Sequence, residues 1–238
     1  DGMIAGTRRD FLRLAGGAAG ASIVSLSTLS TSATRAAALA CHPAQAAVHV
    51  DVSLPEPILD NSQPQRAIQA LAPGYHGGRT VGLYASEVAA NTQTQFRSIG
   101  LRRDAPACLF ITDVKVGITM PKRRIYVSSE LWPGTCQHTA VLDHERKHQA
   151  TDDLALRKHA PRIQGAIENT VANLDPLQAS ADEHEAAQAR LTRLVQSAFD
   201  RAWTAFLAER SELQRQVDAG LEYARVTASC SDWSQIQQ

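Results

Sequence analysis

A single stretch of this chain predicts both a helix and a chemistry: residues 139–159 read TAVLDHERKHQATDDLALRKH. We predict one continuous helix over these residues. Within it, residues 144–148 form an HExxH pattern, whose two histidines lie one turn apart on one helix face. Two imidazoles at this spacing can bind one zinc ion (Zn²⁺), with His144 and His148 as ligands. Glu145, between them, is then the predicted catalytic general base.

The two faces of this helix differ in chemistry. At about 100° per residue, one face collects the histidines, two carboxylates and several apolar residues: Val141, His144, Glu145, His148, Asp152, Ala155, Leu156 and His159. The other face holds the long cations and one carboxylate: Arg146, Lys147, Asp153, Arg157 and Lys158. Burying histidines and carboxylates costs several kcal/mol unless they are paired or bind a metal. The pattern favours a metal site, and the alternative is an inert fold in which these carboxylates pair with the histidines.

The third ligand is less directly indicated. Leu154 stands six residues after His148, where one class of HExxH protein has a histidine. Another class takes a glutamate from the next helix, about twenty residues on, and Glu168 has this spacing. Pro161 is predicted to separate the two helices. Glu168 is therefore the predicted third ligand, although it lies away from the apolar stripe of its own segment.

Other polar residues have candidate roles. Ligands on three successive turns of one helix would spread over about 12 Å, so Asp152 is predicted to orient His148 from behind rather than to bind the metal. Tyr223 is the predicted stabiliser of the oxyanion. His138 is a candidate acid on the substrate side, or an exposed loop residue. The C-terminal region adds further candidates that also have ordinary structural interpretations: Asp218, Glu222 and His184.

The N-terminus resembles an export signal. Residues 7–13, TRRDFLR, look like the twin-arginine motif, an Ala/Gly/Leu-rich run follows, and Ala38-Leu39-Ala40 is a small-residue cleavage pattern. A membrane-anchoring helix is the alternative, which the glycines and hydroxyl residues disfavour. We predict that residues 1–40 are a twin-arginine signal peptide recognised by the translocase. Residues 41–238 would then form a single domain, periplasmic or secreted from a bacterium.

Four cysteines follow the predicted cleavage site: Cys41, Cys108, Cys136 and Cys230. An even number in an exported protein predicts two disulfides, for which the sequence allows three pairings. We expect Cys108–Cys136, which would bracket a β-rich segment, and Cys41–Cys230, which would join the two ends. A lipid anchor on Cys41 is an alternative that would leave an odd thiol.

Charge and hydropathy exclude two classes of partner. The chain has 24 basic and 24 acidic residues, and the predicted signal removes only four arginines and two aspartates. A near-neutral chain without a basic block is not expected to bind nucleic acid or an anionic membrane. No second apolar run approaches bilayer length, so no membrane span is expected after cleavage.

The two halves of the chain differ in periodicity. The first is strand-like: Val48, Val50 and Val52 alternate with polar residues, and the β-branched segments 109–118 and 124–128 flank a predicted hairpin at Met120-Pro121-Lys122. The second half is helical, with helices predicted over 139–159, 161–174 and 181–217. We therefore predict an α+β fold. A small antiparallel sheet would pack on the helical half that carries the HExxH helix.

The residues around the motif also carry a family resemblance. IYVSSELWPGTC at 125–136, followed by the HExxH helix, resembles a group of uncharacterised secreted bacterial proteins. Gly82-Leu83, Cys108 and residues 216–230 are similar to the pattern of that group. The resemblance implies a zincin-like fold and a zinc-dependent metallopeptidase, without an established substrate. It supports the roles given to the HExxH residues and favours the Cys108–Cys136 pairing.

These observations predict an exported zinc-dependent metallohydrolase. The preferred function is a peptidase that acts on protein in the envelope or outside the cell. The alternatives are a non-catalytic envelope binding or scaffold protein with a zincin-like fold, and a cell-wall peptide amidase. A third acidic or imidazole ligand beside an open cleft would favour the enzyme, whereas a fourth protein ligand or a helix that fills the cleft would favour a structural role.

Overall fold

The sheet of this α+β fold is built around one long strand. The computed structural model describes residue 41 and residues 45–72, 80–100 and 106–234; the predicted signal peptide lies outside these residues. The described ranges contain five strands: β1 (Ala47–Ser53), β2 (Ile58–Asp60), β3 (Gly82–Ile99), β4 (Ala107–Val127) and β5 (Leu177–Ala179).

Strand β4 is central because it pairs along both edges. β3 lies antiparallel to β4 along nearly its whole length, so the shorter strands share the other edge of β4. There β5 is antiparallel, whereas β1 and β2 are parallel to β4. The predicted antiparallel sheet is thus correct for β3 and β5 and wrong for β1 and β2. The sheet is mixed because a long crossover, which includes helix α1 (Gln65–Leu71) and β3, connects β1 to β4.

β4 is continuous where a hairpin was predicted around Pro121. Proline cannot donate a hydrogen bond to a neighbouring strand, but none is needed at this position. The pairing with β1 ends at Thr119, and the pairing with β2 begins at Arg124. On the other edge, the register with β3 shifts between Glu87 and Ala89, opposite the proline. Pro121 therefore sits in a gap of the ladder instead of turning the chain.

The HExxH motif lies on α2 (Cys136–Ala172), one helix of 37 residues. Its first turn is capped by Thr135, whose hydroxyl accepts a hydrogen bond from the N–H of His138. The break predicted at Pro161 does not occur. An internal proline costs about 3 kcal/mol, but Ile163 and Ile167 just beyond it are fully buried. Each such side chain contributes roughly 1.5–3 kcal/mol, which is enough to keep the helix continuous.

Two further helices line the site. α3 (His184–Val217) runs antiparallel to α2, since the partner of His159 is Glu209 and the partner of His148 is Gln214. α4 (Gly220–Ala228) follows after a break of two residues, Asp218 and Ala219. No helix among the described residues is long and apolar enough to cross a membrane.

The main core lies between the sheet and the helices α2 and α3. Val116 and Ile118 of β4 pack there with Leu156 of α2 and Phe199 and Phe206 of α3. The eight residues predicted to share one face of the HExxH helix are all buried, which confirms that prediction: Val141, His144, Glu145, His148, Asp152, Ala155, Leu156 and His159. The polar members of this face are therefore held inside the protein.

The four cysteines form two disulfides, Cys41–Cys108 and Cys136–Cys230. The number is as predicted, but the predicted pairs Cys108–Cys136 and Cys41–Cys230 are wrong. Without the hairpin, β4 carries the chain roughly 60 Å away from Cys108, and nine residues after β4 cannot return that far. Because the sulfur of Cys41 is bonded to Cys108, it is not available for the lipid anchor considered as an alternative. The two disulfides indicate an oxidising compartment.

Candidate metal centre

Three potential ligand atoms converge beside the middle of α2. The Nε2 atoms of His144 and His148 are 3.3 Å apart. Asp218 Oδ1 lies 3.1 Å from the Nε2 of His148 and 3.6 Å from that of His144. A tetrahedral zinc ion with bonds of about 2.0–2.1 Å has ligand atoms about 3.3–3.4 Å apart. The triangle thus has the size of one face of such a tetrahedron, and these three residues could hold a metal ion.

The chain places Asp218 at the site through a helix break. Asp218 is the C-cap of α3, and α4 begins two residues later at Gly220. The carboxylate therefore lies at the junction of two helices that run along α2. From the sequence, Asp218 was only one of several C-terminal candidates, because 70 residues separate it from His148.

Glu168, the predicted third ligand, is not at the site. It lies on the same uninterrupted helix as His148, about 30 Å further along the axis. Its side chain is exposed and accepts a hydrogen bond of 2.8 Å from Gln164. The prediction is wrong because it depended on a helix break at Pro161 that would have folded the chain back.

Gln214 of α3 fixes the orientation of His148. The Nε2 of Gln214 donates to the main-chain oxygen of His148 at 3.0 Å and to Asp152, so its Oε1 accepts from the Nδ1 of His148. The proton is thus held on Nδ1, and the lone pair of Nε2 faces the cluster. Asp152 was predicted to orient His148 directly, and the structure corrects this: Asp152 acts through Gln214.

Asp152 anchors a buried network behind the histidines. It is 0% exposed and accepts hydrogen bonds from Arg210, at 2.8 and 2.7 Å, and from Ser86, at 2.8 Å. Burial would raise the pKa of Asp152, but Arg210, Ser86 and Gln214 hold that pKa below its usual value. The ionised carboxylate thus joins β3, α2 and α3 at the level of the site.

The electrostatics of the cluster suit a cation. Burial would lower the pKa of His148, but Asp218 and Gln214 raise it above the ordinary value. Burial would raise the pKa of Asp218, but both histidines and the hydroxyl of Tyr223 hold it far below the ordinary value. Nitrogen and oxygen lone pairs converge on one point, so a shared positive charge is needed there. Two imidazoles and a carboxylate are a ligand set that zinc accepts.

His144 has a second nitrogen with no close partner. Its Nδ1 is buried without a hydrogen bond, and Oε1 of Glu222 lies 3.9 Å away. Glu222 instead pairs with Lys147 and Arg225. Of the C-terminal candidates, Glu222 is therefore beside a ligand rather than a ligand itself.

Glu145 is buried next to the cluster. Its side chain lines the same cleft as both histidines, and the residue is 5% exposed. Burial raises its pKa, although His148, His144 and the N–H of Tyr84 act in the opposite direction. A Cβ atom at Gly82 would lie 2.5 Å from Oε1 of Glu145. Glycine at this position is what allows β3 to approach α2 so closely.

Of the remaining predicted site residues, one lines the cleft and two lie away from it. Tyr223 lines the cleft, its ring centroid is 5.4 Å from that of His144, and its hydroxyl donates to Asp218 at 2.8 Å. His138 is buried and hydrogen-bonded to Asn61 at 2.8 Å, outside the residues that line the cleft. His184 begins α3, about 50 Å along that helix from Asp218.

Above the cluster lies an open cleft of about 1140 Å³. It is bordered by β3, by the buried face of α2, and by α3 and α4. No protein-family profile, curated protein or solved structure matches this chain. The class of the protein is therefore defined by its own geometry: an α+β fold with a candidate His-His-Asp metal centre on an HExxH helix.

The disulfide Cys136–Cys230 should support this centre. It joins the first residue of α2 to the segment after α4, and no residue of α4 is buried. The double variant Cys136→Ser/Cys230→Ser should lose about 2–4 kcal/mol of unfolding free energy in urea and should bind metal more weakly. The matched control is Cys41→Ser/Cys108→Ser, which should lose similar stability with unchanged metal affinity. Equal metal affinity in both double variants would contradict the supporting role.

Proposed function

We propose that this chain is an exported zinc-dependent peptidase. His144, His148 and Asp218 bind the zinc ion, and Glu145 is the general base. The observation that carries the proposal is the triangle of ligand atoms beside a buried glutamate and under an open cleft. Structural zinc sites generally use four protein ligands, whereas catalytic sites use three and keep one position open. Among the described residues, three gather, which supports a catalytic site over a structural one.

Each polar group of the site has a task in this mechanism. When bound, zinc supplies a Lewis acid that acidifies water and polarises a carbonyl group. Glu145 accepts a proton from the attacking water on its carboxylate. It then passes this proton to the amine that leaves when the peptide C–N bond breaks. Because burial raises the pKa of Glu145, the carboxylate holds that proton more readily than an exposed glutamate would. Gln214 and Asp152 keep His148 in the tautomer that can bind metal. The hydroxyl of Tyr223 donates to Asp218 and would turn to the oxyanion when substrate is bound.

A peptide substrate fits the surroundings of the site. Within the described part of the chain, β3 pairs with no strand other than β4, and on its other edge the N–H of Tyr84 donates to Glu145. Gly82, Leu83 and Tyr84 of β3 line the cleft beside Glu145. An extended peptide can bind to such an edge through main-chain hydrogen bonds, largely independently of its side chains.

The proposed location is outside the cytoplasm. Two disulfides suit an oxidising compartment, and the N-terminal TRRDFLR motif supports delivery by the twin-arginine translocase. We therefore place the protein in the periplasm or outside the cell, where its substrate would be an envelope or extracellular protein.

Metal content and hydrolysis test the proposal together. The purified chain should contain about one zinc per molecule by mass spectrometry and should cleave a denatured protein such as unfolded casein. Chelation should abolish cleavage, and added zinc should restore it. Zinc at 100 times its dissociation constant should also stabilise the fold by about 2.7 kcal/mol, measured as a thermal shift. Zinc binding without cleavage of any peptide or protein would reject the peptidase in favour of a non-catalytic metal protein.

A further inference from the structure

The cleft extends along α2 on both sides of the metal cluster. At one end, Arg210 of α3 meets Asp152. At the other end, Trp233 follows Cys230, which is bonded to Cys136 at the start of α2. Along α2 the residues that line the cleft run from Val141 to His148, a rise of about 10 Å, which an extended peptide segment of about three residues would span.

The two ends of the cleft differ in polarity. The end beside α3 is lined mainly by polar side chains, among them Ser86, Arg210 and Ser211, together with Leu207. Arg210 is the basic residue, histidines aside, among the described residues that line the cleft, and its guanidinium is held by Asp152 through two hydrogen bonds. It therefore does not offer an unpaired charge to a terminal carboxylate. This disfavours binding of a free C-terminus.

The opposite end has an apolar wall directly beside the general base, and polar residues such as Thr227 and Ser231 also line this end. A Cβ atom at Gly82 would lie 2.5 Å both from Oε1 of Glu145 and from Cγ1 of Val141. Val81 and Trp233 pack against the small core cluster that contains Val141. Val141 is also one helical turn before Glu145. An apolar wall is therefore in contact with the position where the proton is transferred.

The ring of Trp233 is anchored in this wall. Its indole N–H donates to the main-chain oxygen of Thr227 at 2.9 Å, so its polar atom is satisfied and the rest of the ring is apolar surface. Val226 of α4 lines the same end of the cleft. The neighbouring Asp232 is exposed, and its charge disfavours an acidic side chain at this end.

From this arrangement we infer that the chain is an endopeptidase that binds an extended segment and accepts a large apolar side chain next to the scissile bond. The pocket for that side chain is formed by Val81, Val141, Val226 and Trp233. This inference rests on the proposed function and adds a substrate class to it. Leucine or phenylalanine at that position should be preferred over alanine, and aspartate should be the poorest.

Blocked peptides provide the test. The zinc-loaded chain is given eight-residue peptides with acetylated and amidated ends that differ only in one residue beside the cleaved bond: Leu, Ala or Asp. The Leu peptide should be cleaved internally, with kcat/KM at least about 10-fold above that of the Ala peptide. Mass spectrometry of the products should place the apolar residue always on the same side of the cut.

Two variants and a binding measurement test whether the wall that contains Val226 causes the preference for leucine. Val226→Asp should reduce kcat/KM for the Leu peptide by at least about 10-fold. Ser211→Asp, which adds the same charge at the polar end, should leave the Leu-over-Ala ratio unchanged. Binding of the uncleaved peptides to zinc-loaded Glu145→Gln, measured by calorimetry, should show the same order of preference without any turnover.

The possible failures are distinguishable. Cleavage that requires a free terminus, or equal kcat/KM for the Leu and Asp peptides, would overturn the inference and leave the proposed peptidase standing. Cleavage of no peptide and no unfolded protein by the zinc-loaded chain would reject the proposed function, and the inference with it.

Discussion

Glu145→Gln is expected to lower peptide hydrolysis by about 10²–10⁴-fold and to leave zinc binding intact. Glutamine has the size of glutamate and fits the same space beside Gly82, but it cannot accept a proton from water. The metal is held by other side chains, so its affinity should change little. Metal content by mass spectrometry and kcat/KM on a blocked peptide measure the two effects separately.

A matched control for this variant is Glu87→Gln on β3. Glu87 is exposed and pairs with Lys122 at 3.3 Å, and surface pairs of this kind contribute little. Activity and metal content should both stay at the wild-type level. If Glu145→Gln retained full activity with its zinc in place, Glu145 would not be the general base.

The helix with its motif was predictable because helical periodicity is a local property. The spacing of His144, Glu145 and His148 within five residues already determines that they share a face. The same periodicity extended the face to Asp152 and His159, and all of these residues are buried. Cations such as Lys147 and Arg157 lie on the exposed side. The local sequence therefore specified the part of the site that lies on α2.

The sheet was harder to predict because pairing is not local. β1 and β2 join β4 in parallel across tens of residues, and no periodicity within a strand indicates its partner. Pro121 was interpreted as a turn, although it occupies a gap between the two parallel partners. A hairpin there would also have brought Cys108 back towards Cys136, whereas the continuous β4 carries the chain away from Cys108.

The rest of the site lies on α3 and its C-terminal end. Gln214 and Asp218 come 66 and 70 residues after His148, so only the packing of α3 against α2 brings them to the motif. A usable signal did exist: Asp218 stands two residues before Gly220, and a glycine near the end of a helical pattern indicates where the helix ends. The prediction of Glu168 instead relied on a helix break at Pro161. That break does not occur, because burial of Ile163 and Ile167 stabilises the continuous helix.

The two candidate third ligands can be separated by a pair of alanine variants. Asp218→Ala should weaken zinc binding by more than about 100-fold, because residues that only orient a ligand already contribute 10–100-fold and Asp218 supplies one of three ligand atoms. Glu168→Ala should bind zinc as the wild type does, since Glu168 is exposed and remote. Competition with a chromophoric zinc chelator measures both dissociation constants.

If Glu168→Ala lost zinc while Asp218→Ala kept it, α2 would have to break at Pro161 in solution, and the His-His-Asp centre would be wrong. A large loss in Asp218→Ala alone would show that the junction of α3 and α4 completes the metal site.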